Sequence, residues 1–270
     1  MSKAQKLESA DEQLLCRAHG DSDRPTILYL PGIHGDWTLF SSFRALAQEN
    51  FHVIEMTYPR KADWDLRNYA RAISNEILER DLNDIWLLAE SFGSQIAWEL
   101  LNPAARLSVN RFSGLILAGG FVRHPFPWLV GLARLGMAVF PHSVWSMLFR
   151  IYGSYAIFRH RKAPETRQAV REFVARRTPR DLAAIKRRLE LIRLNDPSAI
   201  ARVVTLPVYL LSGALDPVVP SLPVLRWLRK NCPTLAGERV IWPADHNVLG
   251  TEPGESLRQI ARWIHAHHSG

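Results

Sequence analysis

Six short apolar runs recur along this chain with amphipathic stretches between them, and that alternation limits the fold more than any other feature. The runs are TILYL (26–30), FHVIEM (51–56), IWLLA (85–89), GLILAGG (114–120), PVYLLSG (207–213) and RVIWP (239–243). Residues 37–50, 64–81, 92–101, 221–231 and 254–267 carry apolar side chains three and four apart, the spacing of a helix with one buried face. Strands and helices in strict alternation predict a parallel sheet with helices on both faces. Runs without polar interruption fit strands buried on both sides. The fold class is therefore α/β with a mostly parallel central sheet. The rhythm breaks between residues 121 and 200, where aromatic and then arginine-rich helical stretches carry no strand pattern. The expected organisation is a core of residues 1–120 and 201–270, with a helical cap inserted over 121–200.

At 270 residues and 47% hydrophobic side chains, the chain can bury a substantial core. Its net charge of +8 is unevenly placed: residues 121–205 hold 16 Lys or Arg against 5 Asp or Glu, so that segment alone carries +11. Such a segment can attract an anionic partner or form solvated helix faces. It matches no nucleic-acid motif. No glycine loop followed by Lys-Ser or Lys-Thr is present to cradle phosphate. Cys16 and Cys232 match no metal or redox spacing, and His265, His267 and His268 read as a frayed tail. No metal and no cofactor is expected. The polar N-terminus lacks a signal-peptide core, and the run 128–140 is too short to span a membrane and is broken by Arg134. The expected location is the cytoplasm.

Four loops follow apolar runs and can carry chemistry. Ala89-Glu90-Ser91-Phe92-Gly93 joins a strand to a helix and matches Gly-x-Ser-x-Gly with alanine first. Ser91 can be an ordinary helix cap or a nucleophile on a cramped strand-to-helix turn. Glu90 is expected to face away and fix that turn by hydrogen bonding. LPGIHGDW (30–37) can be a glycine turn, or the loop whose Ile33 N–H joins the Phe92 N–H in holding an oxyanion. Asp216, in SGALDPVVP, can be an Asp-Pro turn or the carboxylate that orients an imidazole. His246, in WPADHNVL, can then serve as general base, although His34, His124 and His142 also compete for a pocket. Taken together the loops are more specific: the order Ser…Asp…His, each after a strand, separates one serine-triad fold from the others.

On these residues the chain resembles the α/β-hydrolase superfamily along nearly its whole length, with 121–200 in the place of the helical cap. PGIHGDWTLF, Tyr58-Pro59, LLAESFGS and GGFVRHPFP together resemble a group of bacterial members of poorly defined substrate. Pro31 stands where many members have a histidine, and Ala89 replaces the first elbow glycine. The resemblance implies a serine esterase or thioesterase with Ser91, Asp216 and His246 as its triad and Ile33 and Phe92 as its oxyanion hole. Serine at position 91 argues against the branches that attack with a carboxylate. Acyl transfer, C–C bond hydrolysis and a non-catalytic binding role are the alternatives. Trp128 and Trp145 are candidate substrate contacts, alongside Phe140, Phe149 and Tyr152, most of which suit a core equally well. The expected partner is a small ester or thioester, with anionic lipid or an acidic carrier approaching the basic cap.

Overall fold

The computed structural model describes residues 13–105, 111–140, 164–175 and 178–268, together with 144, 147, 151, 154, 155 and 157–159. Seven strands form one sheet: β1 (Leu15–His19), β2 (Thr26–Leu30), β3 (His52–Thr57), β4 (Ile85–Glu90), β5 (Phe112–Ala118), β6 (Val208–Gly213) and β7 (Leu235–Ile241). Their spatial order is β1-β3-β2-β4-β5-β6-β7, and every pairing is parallel except β1 against β3.

The central strands β2 and β4 are buried at every position because both faces are covered. Along β2, Leu28 and Leu30 point into one core while Ile27 and Tyr29 point into the other. The same alternation divides Leu87 and Ala89 from Trp86 and Leu88 on β4. Helices α2 (Leu66–Glu79) and α3 (Gly93–Leu100) cover the first face through residues such as Tyr69, Ile73 and Trp98. Helix α1 (Ser41–Ala47) contributes Phe43 to the second, joined from the far end of the chain by Ile260 and Ile264. An Asp65–Asn68 capping box sets the start of α2.

Strand β1 has no counterpart in the sequence reading. It sits at the sheet edge with two of five residues exposed, so its pattern is not that of a buried run. Pairing with β3 holds it, and so does His19, whose Nε2 lies 3.0 Å from the fully buried Glu55 carboxylate.

Between β5 and β6 every described element is helical: α4 (Pro127–Val139), α5 (Pro164–Ala175), α6 (Pro179–Leu194) and α7 (Ser198–Val203). Helix α4 packs on α6, whose start is set by a Thr178–Asp181 capping box. Helix α5 is tied to α1 through Thr166 Oγ1, which accepts the Ser42 N–H at 3.1 Å. After β6 come α8 (Ser221–Asn231), β7, α9 (Val248–Thr251) and α10 (Pro253–His268). The C-terminal histidines are not a frayed tail. Helix α10 runs through them, His265 stacks on Phe51, and His267 Nε2 lies 2.6 Å from the Tyr209 hydroxyl. Among the described residues no helix is long and apolar enough to cross a membrane.

Candidate active site

Strand β4 ends at Glu90 and α3 begins at Gly93, so Ser91 and Phe92 must reverse the chain within two residues. Ser91 does so with φ of 49°, the left-handed region that costs a non-glycine residue about 1–2 kcal/mol. Its N–H donates to Ala118 O at 3.2 Å, and its carbonyl accepts from Ser94 Oγ at 2.6 Å, so both sides of the turn are held. Gly93 is needed for contact rather than conformation. A Cβ there would lie 2.2 Å from Leu30 O, inside the backbone at the end of β2.

That crowding brings the loop after β2 against the elbow. A Cβ on Gly32 would lie 3.4 Å from Ser91 Cβ. The loop closes as a turn, with the Gly35 N–H donating to Gly32 O at 2.9 Å. Among the described residues neither the Ile33 nor the Phe92 N–H has a protein acceptor.

The parallel sheet delivers the remaining groups to the same edge, because the loops after β6 and β7 leave from the carboxyl ends of neighbouring strands. His246 Nε2 lies 2.8 Å from Ser91 Oγ, and His246 Nδ1 lies 2.8 Å from Asp216 Oδ2. A carboxylate only accepts, so Nδ1 carries the ring proton and Nε2 is left to accept from Ser91. Asp216 is itself oriented, its Oδ1 accepting the Val218 and Val219 N–H groups at 2.8 Å each. Burial works to lower the His246 pKa, but the hydrogen bond and charge of Asp216, with the charges of Glu90 and Asp245, outweigh it. The imidazole is held above its ordinary 6.5.

Glu90 accepts from the Tyr29 hydroxyl in the core, while its other carboxylate oxygen stays on the Gly32 side of the elbow, 3.7 Å from where a Gly32 Cβ would lie. Burial raises its pKa, against the opposing effects of the Tyr29 hydrogen bond and the His246 charge. Asp245 is paired with Arg159 at 3.0 Å, and Arg159 also donates to Pro243 O at 2.6 Å. This pair steadies the His246 loop from the helical insertion, and nothing in the local sequence marked it.

A cavity of about 250 Å³ opens over Ser91 and His246. Its wall includes Ile33 from the core and Val130, Tyr155, Leu189 and Ile192 from the insertion. His34 and His124 both reach it; burial keeps the His124 pKa below the usual histidine value. No Lys or Arg is among the described residues lining it. Trp128 is not a wall residue: it is 62% exposed, whereas Val130 is 6% exposed. Two helical positions are about 200° apart, so only one of the pair can face inward. Phe140 is likewise exposed. Trp145, with His142, Phe149 and Tyr152, lies outside the described residues. Among the described residues no group of three or more His, Cys, Asp or Glu is arranged to hold a metal.

The sequence pattern described as "Alpha/beta hydrolase family" matches residues 27–259, most of the chain. The chain belongs to that family. Solved structures of the same fold include an esterase from Exiguobacterium antarcticum, at 15% identity and TM-score 0.74, covering 93% of this chain and 95% of that one. An enol-lactonase from Burkholderia xenovorans LB400 superposes with TM-score 0.73 at 15% identity, covering 93% and 96%. A thermophilic esterase from Thermogutta terrifontis does so with TM-score 0.71 at 20% identity, covering 94% of each. Among curated proteins none matches the chain in sequence.

Proposed function

We propose that this α/β-hydrolase is a serine hydrolase cleaving a carboxylic ester or thioester through an acyl-enzyme. The observation that carries the reading is the continuous Ser91–His246–Asp216 chain of two 2.8 Å contacts, ending on a serine held at positive φ. Ser91 Oγ attacks the carbonyl carbon as His246 Nε2 takes its proton. The Ile33 and Phe92 N–H groups receive the developing oxyanion. His246 returns the proton to the departing alcohol or thiol. Water then attacks the acyl carbon, gives a proton to His246, and the proton returns to Ser91 as the acid leaves. No cofactor enters these steps.

The cavity narrows the substrate class. At about 250 Å³ it falls below the ~300–1,000 Å³ of sites for drug-sized ligands, which favours a compact acyl group. A wall whose described residues include no Lys or Arg, beside Glu90 and Asp245, favours a neutral acyl chain over a second carboxylate. We read residues 121–200 as a cap, since α4 supplies Val130 and α6 supplies Leu189 and Ile192 to that wall. Fluorophosphonate labelling tests the nucleophile: labelling should vanish in Ser91→Ala, and undiminished labelling excludes Ser91.

The cap also suits contact with an anionic lipid surface. Trp128, Leu132, Leu135 and Val139 fall on one face of α4 and are 62%, 56%, 55% and 68% exposed, within a segment carrying +11. Binding to phosphatidylserine vesicles should exceed binding to neutral ones and weaken with salt. Equal binding to both vesicles at every salt concentration would remove this role.

A further inference from the structure

Among the described residues, Arg188 is a buried cation that the chemistry above does not use. It lies on α6 and is only 2% exposed. Its partners are all neutral: Nη1 donates to Ile33 O at 2.9 Å, Nη2 to Pro59 O at 3.1 Å, and Nε to the Tyr69 hydroxyl at 3.3 Å. The guanidinium also lies 5.5 Å from the Tyr58 ring centre and 5.9 Å from that of Tyr69. Among the described residues it forms no ion pair. Burying a cation without a carboxylate is costly, and an apolar side chain of similar length would fill the space more cheaply. Stability alone therefore does not account for a guanidinium here.

Its contacts converge on the turn that carries the oxyanion donor. In the Gly32–Ile33 peptide, the carbonyl is bound back to the Gly35 N–H at 2.9 Å. The Ile33 N–H, on the opposite edge of the same trans peptide, is thereby fixed in direction. The next carbonyl, that of Ile33, is held by Arg188, so two successive peptide planes are pinned. Gly35 completes the arrangement. Its φ is 78°, and a Cβ there would sit 2.3 Å from Arg188 Nη1, so the missing side chain is the space the guanidinium occupies. Gly35 O in turn accepts the Tyr58 N–H at 2.7 Å, and Arg188 reaches the following carbonyl, Pro59 O. Leu189 and Ile192 of the same helix line the cavity.

We propose that Arg188 is a positioning residue that locks the 32–35 turn and so aims the Ile33 N–H at the oxyanion. The proposal rests on the serine-hydrolase reading. It makes α6 both a wall of the acyl pocket and the brace of the oxyanion turn.

The test compares Arg188→Met, which keeps the length without the donors, with Arg188→Lys, which keeps one charged donor. Hydrolysis of p-nitrophenyl butyrate, inhibition by a trifluoromethyl ketone that mimics the tetrahedral state, and amide hydrogen exchange are measured on both. In Arg188→Met, kcat should fall on the order of 10- to 100-fold with KM nearly unchanged, short of the full loss of an oxyanion donor. Ketone affinity should weaken by a similar factor, exchange at Gly35 and Tyr58 should accelerate, and the lysine variant should fall between Met and wild type. A folded Met variant with kcat within threefold of wild type, or with unchanged exchange at Gly35 and Tyr58, overturns the proposal. If the Met variant does not fold, Arg188→Lys decides: unchanged exchange at both Gly35 and Tyr58 overturns the proposal. Faster exchange at the turn in a protein whose wild type shows no Ser91-dependent labelling or ester turnover would instead mark the hydrolase reading as the failure.

Discussion

Asp216→Asn should disable the enzyme through a tautomer, and the structure fixes how. The Asp216 carboxylate has two separate tasks: Oδ1 accepts two backbone N–H groups, from Val218 and Val219, while Oδ2 faces His246 Nδ1. Asparagine has one accepting and one donating end. The two amides require the oxygen, because an NH2 there would set donors against donors. The NH2 then faces Nδ1, which must become the acceptor, and the ring proton moves to Nε2. That nitrogen can no longer take the proton of Ser91. The wrong tautomer in such a triad costs about 10⁴ in kcat, or roughly 5.5 kcal/mol at 1.36 kcal/mol per tenfold.

Flipping the amide restores the tautomer but strands the part-buried Val219 N–H at about 1–3 kcal/mol, while the exposed Val218 N–H turns to water. The loss should therefore lie between about fivefold and 10⁴-fold. Asp216→Ala removes the carboxylate but leaves the imidazole free to take either tautomer, so the asparagine variant should be no more active than the alanine one. The assay is kcat/KM on p-nitrophenyl butyrate, with the rate of fluorophosphonate labelling and the thermal midpoint measured in parallel. An asparagine variant within threefold of wild type, or tenfold more active than the alanine variant, would refute the tautomer argument.

Three further outcomes are expected. In the proposed mechanism the base is neutral His246, whose pKa is held above 6.5, so kcat/KM should fall on acidification with a midpoint above 6.5. Asp216→Ala should shift that midpoint down, and a wild-type midpoint below 6.5 contradicts the electrostatics. Ser91→Gly should be more stable than Ser91→Ala by about 0.5–1 kcal/mol, since glycine relieves the positive φ at some cost in chain entropy, while both lack activity. Urea denaturation of the two variants decides this. Gly93→Ala drives a methyl to 2.2 Å from Leu30 O, where only backbone can yield, and should lose about 1–3 kcal/mol by the same measurement. A neutral effect would mean that the elbow and the end of β2 are not in such close contact.

The legible and illegible parts of this molecule separate along one physical line. Central strands β2 to β6 could be read from the sequence because burial on two faces calls for runs dominated by apolar residues. The two edge strands blurred or vanished: β1 was missed, and β7 begins at Leu235 rather than 239 because several of its residues are exposed. Ser91, Asp216 and His246 were readable as a set because a parallel sheet sends the loops after successive strands to one edge. Chain order and strand ends then suffice to bring them together. The cavity wall had no such rule. Which face of α4 turns inward depends on how it docks against α6, so Trp128 and Val130 were equivalent in the sequence and opposite in the structure.

Arg188 is the extreme case of that dependence. Within IKRRLELIRL it is one of several cations on an arginine-rich helix, and the general rule for such a residue is solvent exposure. It is buried because acceptors at Ile33, Pro59 and Tyr69, distant in sequence, meet around a glycine at positive φ. The pairing does have a faint local signature, in Gly35 of PGIHGDW. A helix entry there does not by itself call for glycine, but a guanidinium occupying the place of a Cβ does. Gly35→Ala should therefore loosen the 32–35 turn by evicting Arg188, and its kcat loss should not add to that of Arg188→Met. Two losses that multiplied in the double variant would mean that glycine and arginine act on the site separately.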